Sequence, residues 1–391
     1  MTRRILKVTT HTRAILDQPT GTEGLYLEDA WRHRNTAARL GALLESWGYL
    51  PVNSPMIDYH DAFAGLVSSE LAREIYRLID REGELIAIRS DATLFLAKHM
   101  ARFLRPDMLP LRVYYSEAIL RHARREDISR NEYFQIGAEL VGSTGLAGEL
   151  ETLSLVLKTL DSVVPGRCVI HIGHRHIVDI VIDTLESQNR QYCLDALKSH
   201  DRQSLRRGLA ETHTRDEAAA LTRLLTTIHG QTSFRDLAHG ELEHLPAGMV
   251  DAVRSDVDHI LLLCNLLEQA LPVLETQLKS DSIRIDLSEF GSQSYHTGLA
   301  FRAYVEGAEA SVASGGRYDS LYGHFGIRSP AVGFSIMLRR LERLSPMEPL
   351  PDVQIIPADS TDFLKQLAVA EARRRDGDRV AFSFAPGEEP V

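Results

Sequence analysis

The chain has 391 residues, 44% of them hydrophobic and 25% charged, with a formal net charge of −10 and a pI near 5.9. That length allows two or three domains with ample core, and the acidic balance excludes a generally basic nucleic-acid binder, leaving only a local basic patch open. Three separated cysteines, Cys168, Cys193 and Cys264, make neither a metal spacing nor a disulfide framework; no run reaches the ~18 apolar residues of a membrane span, and MTRRILKVTTHTRAILD lacks a signal peptide's apolar stretch, so a cytoplasmic location without a membrane partner is expected.

Residues 1–20 read as a loosely structured lead-in. Asp29–Trp47 carries a helical stripe of Ala30, Trp31, Ala37, Ala38, Leu40, Leu43, Leu44 and Trp47, stopped by Gly48. YLPVNSPMI follows as an extended segment whose Pro51 and Pro55 suit an edge or interface strand. EIYRLI (74–79) and LIAIRS (85–90) predict a hairpin around the turn DREGE. A helix over Thr93–Phe103 comes next, then a second hairpin ending in ILRHARREDISRNEYFQIGAE (119–139), then a helix over Gly148–Val163 and a strand at RCVIHIG.

From Ile177 to Ser280 almost every segment has helical periodicity. Strand signals resume at IRIDLSEF, so this stretch reads as a helical insertion. SYHTGLAFRAYVEG and AEASVASGG predict another hairpin, GGRYDSLYGHFG follows, and Ala331–Leu344 reads as a closing helix. Beyond SPMEPLPD the pattern is strand–helix–strand (VQIIPA, DFLKQLAVAEARRR, RVAFSFA). The expected division is 1–176 and 281–346 as two parts of one core, 177–280 as the insertion, and 347–391 as a short C-terminal α/β segment.

In the strand FQIGAEL, Gln135, Gly137 and Glu139 share one face, because strand side chains alternate. An amide, a gap and a carboxylate suit a small molecule carrying an ammonium group; a solvated face with a bulge at Gly137 is the plainer alternative. Arg121 can hold a carboxylate or phosphate through paired hydrogen bonds, or be one more charge on a hairpin tip with Arg124, Arg125 and Arg130. Asp91 and Thr93 either cap the helix after IRSDAT or add acceptors for an amine. Tyr295 and His296 in SYHTG offer ring-stacking or hydrogen-bonding groups, while Gly315 and Gly316 let backbone approach a ligand or simply form a turn. Arg339, Arg340 and Arg343 read as solvated residues on an amphipathic helix. GHRHI (173–177) has two histidines at spacing two but no evident third ligand, so no metal site is expected. There is no nucleophile–base pair and no phosphate-loop motif.

Each signal alone is weak, but their order is specific. GTEGLYLEDAW, WGYLPVNSPMID, IRSDAT, ILRHARR…FQIGAE, SYHTGLAF, SGGRYDSL and AVGFSIMLRRL follow in sequence the motifs of the class II histidyl-tRNA synthetase catalytic domain. The chain resembles that family over roughly residues 18–345. The resemblance implies an α+β fold, with a six-stranded antiparallel sheet flanked by helices and an insertion in the place of 177–280. It also implies a homodimer formed through the Asp29–Pro55 region. By matching, Asp91, Thr93, Gln135 and Glu139 would hold the amino acid's ammonium, Arg121 would face the carboxylate, and Tyr295 and His296 would lie near a histidine imidazole.

Departures from the family pattern bear on activity. Ala123 stands where an ATP-positioning glutamate is usual, Gly291 where the catalytic arginine is usual, and Met337 where a glycine leaves room for adenine; Arg340 matches the motif's arginine but is preceded by Arg339 instead of an acid. Loss of one donor to developing negative charge costs ~10²–10³ in rate. The tail after Pro351 is also too short for a full anticodon-binding domain. This combination resembles the synthetase-like regulatory subunits of ATP phosphoribosyltransferase. The resemblance implies a non-catalytic chain without cofactor, metal or nucleic acid, partnered by a short-form phosphoribosyltransferase catalytic subunit and by histidine. A divergent histidyl-tRNA synthetase or amino-acid-activating ligase, and a histidine- or tRNA-sensing scaffold with another partner, are the alternatives.

Overall fold

The computed structural model describes residues 18–383 except 20, 23, 68, 123–130, 292, 346–348, 359 and 360. The predicted lead-in therefore lies almost wholly outside the described residues, as do Ala123, Arg124, Arg125 and Arg130. Two compact units emerge, one built on residues 33–345 and the other on 26–32 with the C-terminal segment. No helix among the described residues is long and apolar enough to cross a membrane.

Helix α1 (Leu27–Ser46) leads into β1 (Leu50–Pro51) and β2 (Ile57–Tyr59). The proline-bearing link between those strands is pinned by a buried polar cluster. Ser54 N and Oγ donate to the Glu117 carboxylate at 2.6 and 2.8 Å, and Arg89 ion-pairs with Glu117 at 2.9 Å while donating to the Ser54 carbonyl. Strands β3 (Arg77–Ile79) and β4 (Leu85–Ile88) form the predicted hairpin and pair with β2 in a small three-stranded sheet. In the turn, the Asp80 carboxylate accepts from the amides of Glu82 and Glu84.

The main sheet contains β5 (Leu111–Leu120), β6 (Glu132–Val141), β7 (Cys168–His174), β8 (Ile283–Ile285), β9 (Leu299–Val305), β10 (Ala313–Arg317) and β11 (Ala331–Met337), with β1 at one edge. Its order is β1-β5-β6-β11-β10-β9-β7-β8. The predicted six-stranded antiparallel sheet is thus corrected to an eight-stranded mixed one. Six central strands are antiparallel, while β1 pairs parallel with β5 and β8 parallel with β7. Parallel pairing needs a long crossover. The helical insertion supplies one between β7 and β8, and residues 52–110 supply the other. Both extra strands are only two or three residues long, and Pro51 blunts its edge by lacking a donor.

A second correction concerns Ala331–Leu344, which is not one helix. Residues 331–337 form β11 between β6 and β10, and only α10 (Leu338–Glu342) is helical. A strand in mid-sheet is covered on both faces, so its sequence loses the alternation that distinguishes strand from helix. Nor are its arginines uniformly solvated: Arg339 is buried and ion-pairs with Glu342 at 2.9 Å, whereas Arg340 donates to the Ser311 carbonyl.

Helices α2 (Ala92–Ala101) and α3 (Leu146–Val163) belong to the two hydrophobic clusters built on the main sheet. One cluster joins Leu153, Val156, Leu157 and Leu160 to Ile170, Phe301 and Phe334; the other gathers Phe63, Phe95, Met100, Tyr115 and Tyr318. The insertion comprises α4 (Arg175–Asp183), α5 (Ser187–Lys198), α6 (Arg202–Leu209), α7 (Arg215–Thr226), α8 (Gln231–Leu242) and α9 (Val250–Val273). Along α9, Val253, Val257, Ile260, Leu263, Cys264, Leu267 and Leu271 are buried at helical spacing. In the smaller unit, β12 (Gln354–Pro357) pairs parallel with β13 (Val380–Ser383), joined by α11 (Phe363–Arg375), and the Arg379 guanidinium lies 4.8 Å from the Trp31 ring centroid.

Candidate functional site

All seven predicted site residues line one narrow cavity of about 60 Å³ on the main sheet. Asp91 and Thr93 come from the start of α2, Arg121 from the end of β5, Gln135 and Glu139 from β6, and Tyr295 and His296 from the loop before β9. Asp91 takes the first of its predicted roles. It caps α2 by accepting from the Leu94 amide at 2.9 Å, while its carboxylate also lies 3.4 Å from the Tyr295 hydroxyl and 3.8 Å from Arg121 Nη2. Arg121 Nε donates to the Ser90 carbonyl at 2.7 Å, which turns the guanidinium across the mouth of the cavity.

Glu139, 1% exposed, is the deepest acid. Thr93 Oγ1 donates to its Oε1 at 2.6 Å, and the Tyr318 hydroxyl donates to Oε2. Burial pushes its carboxyl up to about 8 against the pull of these two hydrogen bonds, and the Asp91 charge adds to the rise. Glu139 is therefore mostly protonated at neutral pH. The hydroxyls of Tyr115, Tyr295 and Tyr318 are likewise driven well above their ordinary range by burial and remain donors. Gln135 faces Met337 in register across β6 and β11, with its amide nitrogen 3.7 Å from the sulfur. Met337 thus borders the same cavity as Gln135, its thioether packed against that amide.

His296 is buried, and burial together with the nearby Arg175 and Arg302 charges lowers its imidazole to about 4. The ring is neutral at physiological pH. Its Nδ1 has no hydrogen-bond partner, and a Cβ at Gly291 would collide with that atom. Gly291 also has φ +86°, where L side chains are strained. On the other side, a Cβ at Gly316 would stand 3.1 Å from His296 Cδ2. Gly291 and Gly316 consequently make room for a protein imidazole.

The open floor expected over Gly137 is a correction of the same kind. A Cβ there would collide with the Tyr115 hydroxyl and the Phe334 carbonyl, so the gap is filled from within the protein. Tyr115 stands opposite Gly137 in the β5–β6 register. Sequence reasoning missed Tyr115, Tyr318 and Gly333. Tyr318 sits in the quoted GGRYD motif, and Gly333, opposite Glu139, has no room for any side chain beside that carboxylate.

Arg121 and Gln293 are shared with a second cavity of about 300 Å³, whose walls include His200, Ser288, Phe290, Gly291 and Arg302. Between them the two spaces offer carboxylate and amide acceptors at the bottom, cations at the mouth and a neutral ring at one side. That arrangement can hold a zwitterion. It presents no side chain positioned as a nucleophile against a base among the described residues.

The family pattern described as histidyl-tRNA synthetase matches residues 21–341. The ATP phosphoribosyltransferase regulatory subunit of Geobacter sulfurreducens is 31% identical over 377 residues, covering 92% of this chain and 81% of that protein. The protein of the same description from Thioalkalivibrio sulfidiphilus is 31% identical over 373 residues, covering 94% and 91%. Among solved structures, an ATP phosphoribosyltransferase regulatory subunit/histidyl-tRNA synthetase from Bacillus halodurans superposes with a TM-score of 0.81 at 21% identity, covering 96% of this chain and 95% of that one, a likeness of fold. The chain belongs to the histidyl-tRNA synthetase family and, within it, to the ATP phosphoribosyltransferase regulatory subunits.

Proposed function

We propose that this chain is the non-catalytic regulatory subunit of an ATP phosphoribosyltransferase, acting in the first step of histidine biosynthesis and in its feedback control by histidine. Its partner is a short-form catalytic subunit in the cytoplasm. The observation that carries the loss of synthetase chemistry is position 291: a glycine at φ +86° whose side-chain space is occupied by His296.

Free histidine is the ligand we assign to the narrow cavity. Asp91, Gln135 and Glu139 accept from its ammonium with Thr93 orienting Glu139, Arg121 meets its carboxylate, and Tyr295 and His296 border its ring. Self-association through α1, β1 and the Pro55 segment is supported by an apolar surface there. Leu50 is 63% exposed, and Met56, Ile57 and Tyr59 are also exposed.

The test mixes the purified chain with the short catalytic subunit and assays phosphoribosyl transfer with and without histidine. Co-elution, stimulation and histidine sensitivity are expected. Absence of both co-elution and stimulation would overturn the proposal, and histidine-dependent pyrophosphate exchange with ATP would favour a working synthetase instead.

A further inference from the structure

The two ends of the narrow cavity assigned to the ammonium and the ring are sealed. Asp91, Gln135 and Glu139 are buried, Tyr115 fills the space over Gly137, and Gly333 has no room for a Cβ beside the Glu139 carboxylate. On the ring side Tyr295, His296 and Tyr318 are buried and pack edge to face, with Tyr295 5.3 Å from His296 and 5.6 Å from Tyr318 between centroids. An atom added to a ligand at either end would meet protein.

The third side differs. Arg121, assigned to the carboxylate, keeps 22% of its side chain exposed, and both it and Gln293 also border the cavity of about 300 Å³. That larger space is walled by Lys198 and His200, at the end of α5 and in the turn after it, and by Ser288, Glu289 and Arg302 of the core. His200 holds φ +54°, a strained conformation for an L residue, with Nδ1 3.4 Å from Ser288 Oγ, so the turn is seated on the core. Met337, which stands at the adenine position of the family pattern, borders the narrow cavity but not the larger one. Charges on the larger cavity's walls are mixed: Arg302 pairs with Glu289 at 3.2 Å, and Glu74 shares the lining with Lys198. Such walls give little net attraction to a phosphate, but they supply donors and acceptors for an amide backbone and its terminal carboxylate.

We propose that the site does not require a free α-carboxylate and takes histidine extended through an amide at its carboxyl group, with the extension lying in the larger cavity. The simplest such ligand is the N-terminal histidine of a short peptide, and the inference rests on the histidine assignment made under Proposed function. In this ligand Arg121 gives up a carboxylate but keeps the Ser90 carbonyl and Asp91 as partners. One added residue carries the terminal carboxylate about 3.8 Å onward, toward the space that Lys198 borders.

The test titrates the full chain by calorimetry with L-histidine and with two dipeptides of the same composition, histidyl-glycine and glycyl-histidine. Histidyl-glycine should bind within about tenfold of histidine, whereas glycyl-histidine, extended at the sealed end, should bind at least ~100-fold more weakly. Lys198→Glu, a change on an exposed side chain, should weaken histidyl-glycine about fivefold and leave histidine unchanged. Histidine bound but histidyl-glycine more than about tenfold weaker, glycyl-histidine bound as well as histidyl-glycine, or a Lys198→Glu chain that treats histidine and histidyl-glycine alike, would overturn this inference alone. No binding of histidine would overturn the ligand assignment and this inference with it.

Discussion

Replacing Glu139 by glutamine removes the ionisable carboxyl while keeping its shape, and the single amide oxygen can accept from only one of Thr93 and Tyr318. Losing one partner of a buried charge pair costs ~2–5 kcal/mol. Against this, a carboxyl whose value is about 8 must first ionise, which costs ~1.4 kcal/mol at pH 7. The middle of the range leaves roughly 2 kcal/mol, so Glu139→Gln should weaken histidine binding about 30-fold at pH 7. The sign of the pH effect follows. Binding an ammonium ionises Glu139 and releases nearly one proton at pH 7, so wild-type affinity should rise about fivefold from pH 7 to 8 and level off above. Calorimetry in two buffers of different ionisation enthalpy measures affinity and proton release together. A glutamine variant within threefold of wild type at pH 8, or a wild type that releases no proton, would refute the reasoning.

His296 titrates in the folded state near 4 instead of the ordinary 6.5. Its neutral form contributes stability that is present above pH 6.5 and lost as pH falls toward 4, roughly 2 kcal/mol between pH 7 and 5. Glu139 acts oppositely, since its raised carboxyl favours folding at low pH and loses that contribution as pH rises toward 8. The useful quantity is therefore the difference between wild type and His296→Asn in urea denaturation at pH 7 and 5; identical pH slopes would contradict the assignment. Gly137→Ala should destabilise by ~1–3 kcal/mol through its collision with the Phe334 carbonyl and the Tyr115 ring, and Tyr115→Phe, which keeps the ring and the carbonyl in place, should not restore the denaturation midpoint. Gly291→Arg should lower the thermal midpoint, at a strain of ~1–3 kcal/mol, and should show no histidine-dependent pyrophosphate exchange; gaining exchange would mean that this position alone separates regulator from synthetase.

Sequence made the site legible where residues announce themselves by order and spacing. Asp91, Thr93, Arg121, Gln135, Glu139, Tyr295 and His296 come from four segments, are legible from their motifs, and meet in one cavity. What stayed hidden depends on partners distant in sequence. Gly137 looked like space for a ligand because nothing in FQIGAEL reveals that Tyr115 stands opposite it. The segment 331–337 looked helical because burial on both faces erases the period of two. YLPVNSPMI and IRIDLSEF read as extended segments, but their parallel pairing at the sheet edges was not legible, since two or three paired residues carry too little pattern to name a partner strand.

Around position 291, loss of chemistry and retention of a ligand space follow from one packing arrangement. His296 fits between Gly291 and Gly316, so any side chain restored at 291 displaces the ring that walls the cavity. With no cation at that position, and with Arg121 directed to Ser90 and Asp91, Glu139 has no basic partner among the described residues and its carboxyl is raised. On the proposed assignment, an incoming ammonium would supply the missing charge and couple binding to release of a proton. For such binding to regulate a partner, histidine must bind two assembly states unequally. The shared wall of Arg121 and Gln293 gives that inequality a place to arise. Those two residues border both the deep cavity and a larger one lined by Lys198 and His200 of the insertion, which is where the proposed coupling would be sought.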